Sequence, residues 1–75
     1  MSTTVLDVKG LNCPLPILRA KKAIKDLASG AVLEVIATDP GSVADFGAFC
    51  NQTGNKLLSQ EETAGVYTFK IQKGA

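Results

Sequence analysis

The sequence predicts an α+β protein: a two-layer sandwich of order β-α-β-α-β-β, with a four-stranded mixed sheet and both helices packed on one of its faces. Three observations carry this. Two short apolar segments alternate with two amphipathic stretches of helical period, and two strand-like segments close the chain around a tight Gly-containing turn. The length of 75 residues, with 45% apolar content, suits one small domain spanning 1–75 and leaves no room for a second.

The elements follow in order. Val5 to Lys9 reads as a strand, with Leu6 and Val8 on one face, Asp7 and Lys9 on the other, and Gly10 closing it. A helix is predicted from Pro14, because proline fits the first turn, where its missing N–H would have no partner. Ile17, Leu18, Ala20, Ala23, Ile24, Leu27 and Ala28 give that helix its apolar stripe, and Ser29-Gly30 its stop. Val32 to Ala37 is the second strand, and a right-handed crossover would leave it parallel to the first. Asp39 and Pro40 mark a second helix start, with Asp39 as cap and Pro40 at the first helical position. Its apolar stripe is Val43, Phe46, Gly47 and Cys50, and Thr53-Gly54 ends it. Lys56 to Glu62 and Val66 to Lys73, joined by Thr63-Ala64-Gly65, form an antiparallel hairpin in which Tyr67, Phe69 and Ile71 alternate with polar residues.

The chemical centre of the chain is Cys13, in the string Gly10-Leu11-Asn12-Cys13-Pro14-Leu15-Pro16. With Pro14 and Pro16 as the first and third helical residues, Cys13 becomes the N-cap. Its sulfur would then face the free N–H groups of the first turn, with Leu15 N–H as the best donor, and the positive end of the helix dipole would favour the thiolate. The chain has no histidine, so no Cys-His pair can activate a nucleophile for hydrolysis. The position that would hold a resolving thiol in a Cys-X-X-Cys redox motif is Pro16. A group loaded onto Cys13 must therefore leave for another molecule, which is the logic of a carrier. Cys50, on an apolar stripe, reads as an inert core thiol.

Composition sets the surroundings. A net charge of +1 gives no global pull toward nucleic acid or anionic membrane, and no apolar run approaches a membrane span of roughly 20 residues. Two cysteines make no disulfide framework, and the N-terminal Met1-Ser2-Thr3-Thr4 lacks signal-peptide character, so a cytoplasmic location is expected. Arg19, Lys21, Lys22 and Lys25 put positive charge on the exposed side of the first helix, which reads either as a docking surface for an acidic partner or as a solvated face. Four charges without an aromatic platform argue against direct RNA binding. Asp45 reads as a solvated charge and Asp39 as a cap.

Two stretches, Leu6-Asp7-x-x-Gly10-Leu11-x-Cys13-Pro14-x-Pro16 and Gly30-x-x-Leu33-x-Val35-x-Ala37-x-Asp39-Pro40, resemble the TusA (SirA-like) family of small sulfur-carrier proteins. The resemblance spans the chain. It implies that Cys13 carries sulfur as a persulfide, supported by Pro14, Leu15 and Pro16 of a Cys-Pro-x-Pro motif. It also implies a donor of the cysteine desulfurase or rhodanese type and a downstream acceptor protein. Transfer RNA thiolation, molybdenum-cofactor metabolism and sulfur oxidation are the pathways such proteins serve. No metal or other cofactor is expected beyond the covalent persulfide. A thiol-based redox sensor and an interaction module without chemistry are the alternatives on the residues alone.

Overall fold

A computed structural model describes residues 3–74. It contains β1 (Thr3–Val8), α1 (Leu15–Lys25), β2 (Val32–Ala37), α2 (Ser42–Thr53), β3 (Lys56–Thr63) and β4 (Val66–Gln72). The sheet order is β1-β2-β4-β3, with β1 parallel to β2 and the other two pairings antiparallel. This is the expected mixed sheet under two helices. The hairpin enters through its second strand, and composition explains the choice. Residues of β4 supply Phe69 and Ile71 to the core, whereas β3 turns polar after Leu58 and tolerates the edge, where a register irregularity falls between Leu57 and Ser59.

Register places Val8, Leu6 and Thr4 beside Ala37, Val35 and Leu33, and those beside Tyr67, Phe69 and Ile71. These residues form the helix-facing side. Against them α1 buries Pro16, Ala20 and Ile24, and α2 buries Phe46, Phe49 and Cys50. Phe46 stacks on Phe69 with ring centroids 4.8 Å apart, and its edge meets Phe49 at 6.4 Å and 88°. Aromatic pairs prefer such offset and edge arrangements. The strand residues Leu33, Val35, Ala37, Phe69 and Ile71 are fully buried, so one face is dry and the other is partly wet.

Some stripe assignments need correction. Leu18 and Val43 lie on the exposed sides of their helices, at 52% and 38%, and Phe49 rather than Val43 completes the inner face of α2. An i, i+3, i+4 stripe fixes spacing but leaves the angular position of its centre uncertain by about a residue. The first helix ends at Lys25, before Leu27 and Ala28, and the second begins at Ser42, with Gly41 rather than Asp39 at the N-cap. Asp39 still bonds the start of α2, since its backbone carbonyl accepts from Ser42 N–H and its Oδ1 accepts from Gly41 N–H.

Candidate active site around Cys13

Because β1 and β2 are adjacent and parallel, their C-terminal ends meet at one edge, where Val8 pairs with Ala37. Each strand feeds a helix there. The starts of α1 and α2 are thus brought side by side, as at the strand ends of other open α/β sheets, where sites are commonly built. The two loops are tied together. Gly10 N–H donates to Thr38 Oγ1 at 2.9 Å, and Cys13 N–H donates to Asp39 Oδ2 at 3.0 Å. Gly10 sits at φ +82°, a conformation that costs little only without a Cβ, and this lets the chain turn from β1 toward the helix.

Cys13 is exposed, as expected of a reactive thiol, but it is not the N-cap. Pro14 holds that position, Leu15 is the first helical residue, and Pro16, buried, is the second. The Cys13–Pro14 peptide bond is cis. Leu15 N–H is already committed to the carbonyl of Asn12 at 2.8 Å, closing a turn ahead of the helix, so it is not the sulfur's donor. The thiol instead donates to Asp45 Oδ2 across the gap between the helices, with Sγ 3.1 Å from the oxygen. Its ionisation is therefore pushed the opposite way to the dipole argument. The hydrogen bond to Asp45 raises the thiol pKa most, followed by partial desolvation and then by the negative charges of Asp45 and Asp39.

The two carboxylates are what sequence reasoning missed. Asp39 does not simply cap, and Asp45, in the first turn of α2, is a contact residue rather than a solvated charge. The signal was available in the topology, since parallel neighbouring strands put both helix starts at one edge. Cys13 Sγ and the oxygens of Asp39 and Asp45 lie within 4.8 Å of one another, and the hydrogen bonds they make account for that proximity without an ion. A groove of about 240 Å³ runs from Cys13 between the helices, walled by Pro14, Ile17 and Phe49, with Lys21 and Gln52 also lining it. The basic residues of α1 do not share one face. Lys21 belongs to this groove, whereas Arg19 and Lys22 border a separate concavity with Leu6 and Asp26. At the end of the helix, the backbone carbonyl of Lys25 accepts a hydrogen bond from Lys73 Nζ. Leu15 and Leu18 expose apolar surface on the first turn of α1 beside the motif.

The profile of the family described as Sulfurtransferase TusA matches residues 4–73. The chain belongs to the TusA family. Its relatives include the Sulfur carrier protein TusA of Allochromatium vinosum, 62% identical over 68 residues, covering 91% of this chain and 90% of the relative. A Putative sulfur carrier protein of Neisseria meningitidis is 56% identical over 72 residues, covering 96% and 97%. The crystal structure of a SirA-like protein from Desulfitobacterium hafniense superposes with a TM-score of 0.82 at 30% identity and full coverage of both chains. The β-α-β-α-β-β sandwich found here is thus shared with that SirA-like protein over the full length of both chains.

Proposed function

We propose that this chain is a sulfur carrier that holds its cargo as a persulfide on Cys13. The observation that carries the residue assignment is the contrast between its two thiols. Cys13 is exposed at the mouth of a groove, on a loop tied to the start of the second helix, while Cys50 is 5% exposed among Phe46, Phe49 and the sheet. Family membership supports the sulfur-carrier role. A carrier exchanges sulfur with proteins that donate and accept it, and the exposed Leu15 and Leu18 beside the motif suit such docking, since exposed apolar groups next to a reactive atom favour a partner over water.

Donation by a cysteine desulfurase or rhodanese-type enzyme, and delivery to a protein of tRNA thiolation, molybdenum-cofactor or sulfur-oxidation chemistry, are part of this reading. So is a cytoplasmic setting. Among the described residues no helix is long and apolar enough to cross a membrane. Transfer proceeds by attack of the Cys13 sulfur on the donor's outer sulfur, and then by attack of the acceptor's thiolate on the sulfur now bound to Cys13. Because Asp45 holds the free thiol protonated, activation belongs to the encounter with the donor rather than to the resting protein.

Mass spectrometry tests the assignment. Incubation with a cysteine desulfurase and cysteine, or with a small persulfide, should add one reductant-labile sulfur to the wild type and to Cys50→Ser, and none to Cys13→Ser. The reverse pattern would remove Cys13 from the role.

A further inference from the structure

We propose that Asp45 is a catalytic residue of sulfur loading: its carboxylate takes the Cys13 proton as Sγ attacks and passes that proton to the thiolate leaving the donor. This rests on Cys13 being the carrier. The chain has no histidine to do the work, and Asp45 Oδ2 is the acceptor of the Cys13 thiol, 3.1 Å from Sγ. The other groups facing the sulfur are differently engaged. Asp39, from the loop after β2, accepts from the backbone N–H groups of Cys13 and Gly41, and Lys21 of α1 lines the groove as a cation with no proton-accepting capacity in its charged form. Among the described residues the one ion pair is Lys9 with Asp7, so neither Asp39 nor Asp45 is neutralised by a neighbouring cation.

The step balances without an oxidant or reductant. A donor R–S–SH approaches along the groove, Sγ bonds to its outer sulfur, and the donor S–S bond breaks with its electron pair leaving on the inner sulfur as R–S⁻. Asp45, which has accepted the Cys13 proton, returns it to that sulfur. The sum is Cys13–SH plus R–SSH giving Cys13–SSH plus R–SH. A route through a free Cys13 thiolate would first place a third negative charge beside two carboxylates, which like-charge repulsion disfavours. Moving the proton during attack avoids that arrangement and supplies an acid where the leaving thiolate needs one.

Loading by glutathione persulfide, followed by mass against time and pH, separates the roles. Asp45→Asn, nearly isosteric, is expected to gain the same single sulfur about 10²-fold more slowly at pH 7. Its rate should climb with pH and meet the wild-type rate once the thiol ionises freely. Iodoacetamide alkylation of the same variant should be no slower than wild type, because removing the Asp45 charge leaves more of the thiol ionised and iodide leaves without needing a proton. Loading of Asp45→Asn at or above the wild-type rate at pH 7, with parallel pH profiles, would overturn the relay and leave Asp45 as a restraint on the thiol. Uptake of sulfur by Cys13→Ser would instead overturn the carrier assignment beneath it.

Discussion

Replacing Phe46 tests whether the ring at the centre of the core is what positions Asp45, its neighbour in the sequence. Phe46 is fully buried, stacked on Phe69 at 4.8 Å and edge-on to Phe49 at 6.4 Å, and so joins α2 to the sheet at the turn that carries Asp45. Truncation of a buried phenylalanine to alanine costs about 3–5 kcal/mol, from lost transfer free energy and the cavity left behind. At roughly 0.05–0.15 kcal/mol per residue, a chain of 75 residues has a total stability of about 4–11 kcal/mol. Phe46→Ala is therefore expected to bring the fold close to its limit. Phe46→Leu keeps most of the volume, loses the aromatic pairing, and should cost about 1–2 kcal/mol. Urea unfolding followed by circular dichroism measures both. With a slope of about 1 kcal/mol/M for so small a chain, the alanine midpoint should fall by about 3–5 M and the leucine midpoint by about 1–2 M. A double-mutant cycle with Phe69→Leu should return a coupling of about 0.5–1.5 kcal/mol. A cost below about 1 kcal/mol for Phe46→Ala would show that α2 is not anchored through this ring and that the Asp45–Cys13 geometry has another origin.

The remaining expectations concern ionisation and docking. Alkylation of Cys13 should rise with pH through a midpoint above the ordinary thiol value of about 8.5, and Asp45→Asn should move that midpoint down; a midpoint already below the ordinary value in the wild type would contradict the hydrogen bond to Asp45. Burial raises the pKa of Cys50, so the folded state holds that proton more tightly than the unfolded state. Its contribution is complete below the unfolded value of about 8.5 and is lost as pH rises through the higher folded value. Urea midpoints measured from pH 7 to 10 should therefore fall, with a shallower fall for Cys50→Ala, and identical slopes for the two would refute the linkage. Lys21→Glu should slow sulfur exchange between proteins more than Lys22→Glu, because only Lys21 lines the groove that opens on Cys13. The defect should shrink as salt rises and the screening length falls below about 10 Å, and equal effects of the two substitutions would argue against docking over that groove.

Much of this protein is written locally in its sequence. Strand and helix periods, the proline after Cys13, the Gly-bounded turns and the Phe69–Ile71 alternation each depend on neighbours a few residues away, so the element order and the two-layer architecture are readable from the chain alone. The exposed Cys13 and the buried Cys50 are readable for the same reason, one lying in a loop before a helix and the other on an apolar stripe. The thiol's surroundings are not local. Asp39 and Asp45 lie 26 and 32 residues from Cys13, and only the parallel pairing of β1 with β2 brings their helix start against it. A dipole argument built from one helix start predicts an acidified thiol. The tertiary structure reverses the sign, because a carboxylate at hydrogen-bond distance acts on the sulfur more strongly than the partial charge at a helix end, and Leu15 N–H, the donor that would have carried the dipole's effect, is spent on Asn12.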